Sequence, residues 1–326
     1  MMDAASLPLV TISTPMYNTG AEVLETIDSV RRSTYPNIEH IIIDDASTDD
    51  SVARVREHLS QTGHPAKLVV HEQNQGIAKT RQHGLDLAQG KYMVGVADDL
   101  MRPDRIEQDV AHLEALGDAV VGVFSIAQTF VHGTGEVLGR KGAWEGEVLE
   151  HGLVPREALA ARLLESNFIA AMTCTLRRAT LLEVGYDTRF FVEDYPMWVR
   201  LLKAGYAFAY RPEVSMDYRI TEKSVRKRYA SRVALDVVRS KALFLGSGLV
   251  PDPLVRQKTW HYFWGQITHL TPPHRKEALA SLRALGAPTG YGLWAAVRYF
   301  AGRLGVWTGM TKRNDAETVA MTVRKR

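Results

Sequence analysis

The sequence predicts an α/β fold: a mostly parallel sheet flanked by helices on both faces, followed by a C-terminal helical extension. Three observations carry this expectation. Short β-type apolar runs alternate with helix-period segments through the first third of the chain. Each of the polar clusters Pro15-Met16-Tyr17-Asn18, Asp44-Asp45 and Asp98-Asp99 follows one of those runs. From about residue 224 the strand signals stop, while helical segments rich in Lys and Arg continue.

Leu9-Val10-Thr11-Ile12-Ser13 reads as the first strand, closed by Pro15 and the Asn18-Thr19-Gly20 turn. Between Ala21 and Arg32, Val23, Leu24, Ile27 and Val30 recur at helical spacing. Ile38 to Ile43 is the second strand and runs into Asp44-Asp45; Ser47 is placed to cap a helix carrying Val52, Val55 and Leu59. Leu68-Val69-Val70 is the third strand, and Ile77 to Ala88 the third helix, stopped by Gly90. Tyr92-Met93-Val94-Gly95-Val96-Ala97 is a buried fourth strand ending in Asp98-Asp99, and Pro103 opens a further helix. Right-handed β-α-β crossovers put all the strands' carboxyl ends on one edge. The polar clusters therefore share one crevice, the place where α/β sheets bind ligands.

Further on, Ala119 to Val131 reads as a strand with a hairpin tip at Gly133-Thr134-Gly135. Ile169 to Leu176 reads as another strand, followed by a short helix that ends at Gly185. Glu193-Asp194 precedes an amphipathic helix with Met197, Trp198, Leu201 and Leu202, ended by Gly205; Val214 to Arg219 is the expected last strand. The expected domains are an α/β unit over 1–224, with halves of about 8–116 and 117–224, then a helical region over 225–310 and a mobile tail over 311–326.

At 326 residues, with 45% hydrophobic and 24% charged residues, the chain has the composition of a soluble globular protein. Forty basic against 37 acidic residues leave a formal charge of only +3, so no nucleic acid partner is expected. A lone cysteine, Cys174, excludes an internal disulfide. With no leader pattern and no apolar run near about 18 residues, a cytoplasmic protein is expected, with peripheral contact at the inner membrane face as the variant. Gly290 to Trp307 combines Trp294, Tyr299, Phe300 and Trp307 with Arg298 and Arg303. That mixture suits packing on the α/β unit, which helical spacing of aromatics favours, peripheral membrane contact, or a homo-oligomer contact.

Several chemistries are excluded. Thr14 to Gly20 lacks the glycine spacing that a dinucleotide pyrophosphate needs, and no Walker loop, helical zinc-protease His pair or G-x-S-x-G elbow is present. Two adjacent carboxylates at a strand end repel each other and are costly unless a cation or hydroxyl groups satisfy them. The plainer alternative for Asp98-Asp99 is a solvated turn before Pro103.

Taken in order, five segments resemble the family 2 glycosyltransferases of GT-A fold over roughly residues 8–224. They are Val10-Thr11-Ile12-Ser13-Thr14-Pro15-Met16-Tyr17-Asn18, Ile43-Asp44-Asp45-Ala46-Ser47-Thr48-Asp49, Asn74-Gln75-Gly76-Ile77-Ala78-Lys79-Thr80-Arg81, Gly90-Lys91-Tyr92 leading into Asp98-Asp99, and Glu193-Asp194 with Arg200. Ala97-Asp98-Asp99 to Pro103-Asp104-Arg105 is also similar to spore-coat polysaccharide synthesis glycosyltransferases. The resemblance implies a Rossmann-like mixed sheet of GT-A type. It also implies inverting transfer of a sugar from a UDP-, dTDP- or GDP-type donor to an acceptor hydroxyl. The acceptor class stays open among a glycan, a lipid-linked glycan, a protein and a small molecule.

Under this resemblance Pro15, Tyr17 and Asn18 line the donor site and Asp45 accepts the imide N–H of the base. Lys79 and Arg81 approach the phosphates, Asp98 binds ribose hydroxyls, and Asp99 holds a divalent cation, Mn²⁺ or Mg²⁺, on the diphosphate. Asp194 is the general base and Glu193 orients it or the acceptor. Plainer roles stand beside these. Asp45 is a turn acid, Tyr17 a core tyrosine, Lys79 and Arg81 surface-pair partners, and Glu193-Asp194 helix N-terminal charges. Arg219, Lys223 and Arg226 either close over a diphosphate or form a solvated helix face, which charge runs favour. Leu100 stands where a further Asp is common in the family, which leaves the metal dependence open. The competing functions are a sugar nucleotidyltransferase and a non-catalytic nucleotide-sugar or glycan-binding module. The former needs a glycine-rich basic loop that Thr14 to Gly20 does not supply.

Overall fold

The computed structural model describes residues 6–221, 229–284 and 286. Lys223, Arg226, the aromatic segment 290–307 and the expected tail 311–326 lie outside the described residues. The strands are β1 (Val10–Met16), β2 (Ile38–Asp44), β3 (Lys67–Val70), β4 (Tyr92–Gly95), β5 (Leu100–Met101), β6 (Val120–Val131), β7 (Val137–Lys141), β8 (Leu153–Val154), β9 (Thr175–Arg177) and β10 (Ala207–Ile220). They form one mixed sheet in the order β3-β2-β1-β4-β9-β6-β10-β5, with β7 on β6 and β8 on β10.

β3, β2, β1 and β4 are parallel, joined through α1 (Glu22–Arg31), α2 (Ser51–Thr62) and α3 (Ile77–Leu87). β1 is buried along its whole length, as a central strand covered on both faces must be. One face packs Val10, Ile12 and Val94 against Ile106 and Val110 of α4 (Arg105–Ala115) and, further along, Met16 and Ile42 against Val23, Ile27 and Val55; the other packs Met93 with Leu85 and Ala88, and sets Ser13 and Ile43 against Gly84 of α3. Met16 pairs with Asp44, and the Asp45 N–H donates to the Met16 carbonyl at 2.9 Å, which aligns the carboxyl ends as expected.

β9 is antiparallel to both β4 and β6, and β6 is parallel to β10. Two expectations change here. Of the segment Ile169 to Leu176 only its end is strand, because Ala171–Thr173 is a 3-10 turn whose Thr173 hydroxyl bonds back to the Ala170 carbonyl. The last strand is also much longer than expected, because β6 pairs with it almost throughout. A helix that the sequence reading passed over, α5 (Arg156–Glu165), buries Leu159, Leu163 and Leu164.

α6 (Arg178–Val184) and α7 (Asp194–Lys203) complete this half. Three more helices follow: α8 (Ala230–Ala242), α9 (Asp252–Gln266) and α10 (Pro272–Ala284). Phe244, Leu249, Val250 and Val255 share a core with Leu163, Trp198 and Leu201, so this described part of the C-terminal region packs on the α/β unit. Among the described residues no helix is long and apolar enough to cross a membrane.

Candidate active site

At the end of β2, backbone geometry satisfies both acids. Asp44 accepts from the backbone N–H of Ser47 at 2.9 Å and from the Ser47 hydroxyl. Ser47 therefore does not cap α2; its hydroxyl also accepts the Asn18 N–H at 2.9 Å. Asp45 Oδ1 accepts from Gln75 N–H at 2.8 Å and meets His71 Nδ1 at 2.9 Å, while Oδ2 accepts from Gly76 N–H at 2.8 Å. Those two amides lie at the positive N-terminal end of α3, where a carboxylate is favoured. His71 continues to His83 through a 2.8 Å contact. Three of roughly four acceptor positions on the Asp45 carboxylate are thus engaged.

Asn18 has φ 51°, and its Oδ1 accepts from Thr48 N–H at 2.8 Å and Asp49 N–H at 3.3 Å. The side chain ties the loop after β1 to the loop after β2. Pro15 is buried in β1. Tyr17 is 46% exposed at the end of that strand, which rules out the core-tyrosine alternative.

Asp98 and Asp99 occupy the turn between β4 and β5. Asp99 is buried, and its Oδ1 accepts the Arg219 N–H at 2.9 Å. The Arg219 side chain donates to the Asp98 carbonyl at 2.8 Å and to Glu25 at 2.7 Å, and meets His132 Nδ1 at 2.8 Å. Thr26 Oγ1 donates to the Asp99 carbonyl at 3.0 Å. Arg219 is therefore not a solvated helix residue. It is a buried residue of β10 that clasps the acidic turn.

Burial, then the neighbouring charge of Asp98, pushes the Asp99 carboxyl up to about 8, and burial also raises Asp98. Two desolvated carboxylates side by side fit a divalent cation, whose charge would favour their ionised forms. Among the described residues no three His, Cys, Asp or Glu side chains converge into a closed metal site. The remaining ligands of such a cation would have to come from a bound diphosphate or water.

Arg81 connects this turn to the second acid pair. Its Nε lies 2.7 Å from Glu193 Oε1 in a largely buried ion pair, and its charge acts on Asp98 and Asp194 as well. Gly95 leaves the room for it, since a Cβ there would collide with the guanidinium. Burial raises the Glu193 carboxyl even though Arg81 opposes that shift. Asp194 is the first residue of α7; its Oδ1 accepts from Asn167 Nδ2 at 3.1 Å and from Tyr195 N–H at 2.6 Å. The cavity lined by Arg81, Glu193 and Asp194 is about 20 Å³, the size of a water.

The structure thus gathers Arg81, Asp98, Asp99, Glu193 and Asp194 at one end of the crevice, with Pro15, Tyr17, Asn18 and Asp45 along it. Lys79 does not join them. It is exposed, two residues before Arg81 and so about 200° away around α3. Sequence reasoning missed Asn167, which belongs to no pattern, and misplaced Arg219, whose lysine- and arginine-rich neighbourhood mimics a surface.

The family model described as glycosyl transferase family 2 matches residues 11–185, more than half of the chain. The chain belongs to glycosyl transferase family 2. A relative, the amylovoran biosynthesis glycosyltransferase AmsB of Erwinia amylovora, is 30% identical over 202 residues. The alignment covers 60% of this chain and 64% of that relative, so the chain spans just under two thirds of its length. The fold is similar to that of S. aureus TarS in complex with UDP-GlcNAc, with a TM-score of 0.64 at 16% identity over 85% of this chain and 80% of that one. The mannosyltransferase PcManGT from Pyrobaculum calidifontis, in complex with GDP-Man and Mn²⁺, gives a TM-score of 0.54 at 19% identity over 94% and 89%.

Proposed function

We propose that this family 2 member transfers a sugar from a nucleoside-diphosphate donor to an acceptor hydroxyl with inversion, and that Asp194 takes the hydroxyl proton. The observation that carries the reading is Arg81. This one largely buried cation stands between the acids after β4 and the acids at the start of α7, making them two walls of one site. Tyr17, exposed at the end of β1, offers a face to the base, and the remaining acceptor position on Asp45 suits an imide N–H. Asp98 binds ribose hydroxyls and Asp99 holds the cation, which when bound supplies charge neutralisation for the departing diphosphate. Asn167 and the Tyr195 N–H orient the Asp194 carboxylate toward the acceptor, and the Arg81 pair keeps Glu193 beside it.

The structures of similar fold in complex with UDP-GlcNAc, and with GDP-Man and Mn²⁺, support a diphosphate-sugar donor and a divalent cation. The amylovoran biosynthesis relative supports a growing glycan as acceptor. A thermal-shift panel of UDP-GlcNAc, GDP-mannose, a dTDP-sugar and ADP-glucose, each with and without Mn²⁺, tests the donor. Mn²⁺-dependent stabilisation by one of the first three but not by ADP-glucose is expected; no stabilisation by any of them would sink the reading. Asp194→Asn should bind that donor normally and lose transfer by roughly 10²- to 10⁴-fold. Retained transfer removes Asp194 from the role of base, and equal inactivity of wild type and variant favours a non-catalytic binding module.

A further inference from the structure

Helix α8 carries two buried charges that the site described above leaves unused. Asp236 is fully buried and Lys241 is 2% exposed. Asp236 Oδ2 accepts the N–H groups of Phe191 at 2.6 Å and Val192 at 3.0 Å, the residues that lead directly into Glu193-Asp194. Lys241 Nζ donates to the carbonyls of Leu164 and, at 3.0 Å, Glu165, at the C-terminal end of α5. That end runs into Asn167, whose amide holds Asp194 Oδ1. The Tyr195 hydroxyl donates to the neighbouring Leu163 carbonyl, so α7 and α5 are tied at the same place.

Five residues along a helix turn it by about 140°, so one helix faces both segments. The two side chains hold backbone groups of the two strips that position Asp194. Arg232 at 3.8 Å and Arg239 at 3.6 Å flank the other Asp236 oxygen, and Arg239 also lies 3.4 Å from Glu277 of α10. Burial pushes the Asp236 carboxyl up and the Lys241 ammonium down to about 8, so neither charge is there at no cost. Apolar side chains would fill this volume more cheaply, but they would leave the Phe191 and Val192 amides and the α5 carbonyls unpaired.

We propose that Asp236 and Lys241 are positioning residues that hold Asp194 at the crevice, which makes α8 part of the catalytic apparatus. This rests on the reading of Asp194 as the base. The test uses the full chain and two readouts: hydrogen exchange by mass spectrometry, and nucleotide release from UDP-GlcNAc and GDP-mannose with Mn²⁺. Asp236→Leu should speed exchange across residues 187–195 by roughly tenfold while residues 10–87 stay unchanged. It should lower kcat roughly tenfold at a donor KM within about twofold. Asp236→Asn, which keeps an acceptor oxygen, should restore most of both. Lys241→Met should loosen residues 163–169 with the same kcat effect, and it carries the test if Asp236→Leu does not fold.

Unchanged exchange in these segments overturns the proposal. A loss of kcat in proportion to folded protein, without rescue by Asp236→Asn, overturns it too. Asp194→Asn in the same assay separates the two readings. If it abolishes turnover while the α8 variants do not, only the positioning role fails; if it retains turnover, the assignment of the base fails.

Discussion

Asp44-Asp45 and Asp98-Asp99 are the same dipeptide at the carboxyl ends of two parallel strands with only β1 between them, yet their surroundings are opposite. The first pair is surrounded by donors: Ser47 on Asp44, and Gln75, Gly76 and His71 on Asp45. The second is short of them. One backbone N–H, from Arg219, reaches the Asp99 carboxylate, and burial next to Asp98 pushes its carboxyl up to about 8. A carboxylate supplied by the fold organises loops. One left undersupplied is where a cation or a ligand's hydroxyl groups complete the structure.

The first expected effect is a large one, on the donor-rich pair. Asp45→Ala leaves the Gln75 and Gly76 amides without their acceptor and should cost about 3 kcal/mol in urea unfolding. A loss below about 1 kcal/mol would show that water replaces the carboxylate freely and would break the contrast.

The second effect has the opposite sign. Asp99 titrates near 3.8 when unfolded and about 8 when folded, so the native state keeps a proton that the unfolded state releases. Its contribution to stability is complete below the unfolded value and is lost as pH rises through about 8. Without divalent cations, the wild-type Tm should therefore fall between about pH 5 and pH 8. Asp99→Asn should flatten that slope and be at least as stable at the upper end. If it loses as much stability as Asp45→Ala, the two pairs are not different in kind.

The smallest effect sharpens the role of the bridge between the acid pairs. Gly95→Ala should shift stability by no more than about 1 kcal/mol, because the obstructing group is the far end of a side chain. It should nevertheless displace Arg81 from Glu193 and reduce donor turnover several-fold at unchanged donor affinity. Unaltered turnover would make the Arg81–Glu193 pair a packing contact only.

The parallel half was largely legible in the sequence. Strands buried on both faces leave short apolar runs such as Ile41 to Ile43 and Tyr92 to Val94, and the intervening helices show their period openly. The second half was less so. β9 is three residues long and is wedged between β4 and β6, too short to show a period. Ser47 looked like a helix cap because Ser is a common one, but it is drawn instead to Asp44 and Asn18. Asp236 and Lys241 sit on a helix that the sequence marks only as rich in Lys and Arg, and the packing of α8 on α7 turns these two inward.

By itself the sequence determined the family, the strand–helix order of the parallel half and the identity of the acids, because these depend on local period and on residues close together in the chain. Tertiary structure alone decided which acids are satisfied and which are not. It set Arg219 on the back of the Asp98-Asp99 turn and Arg81 between the acid pairs. Donor supply, burial and the field of a distant charge are sums over neighbours from remote segments. Two identical dipeptides carry no trace of that sum, so only the folded chain tells them apart.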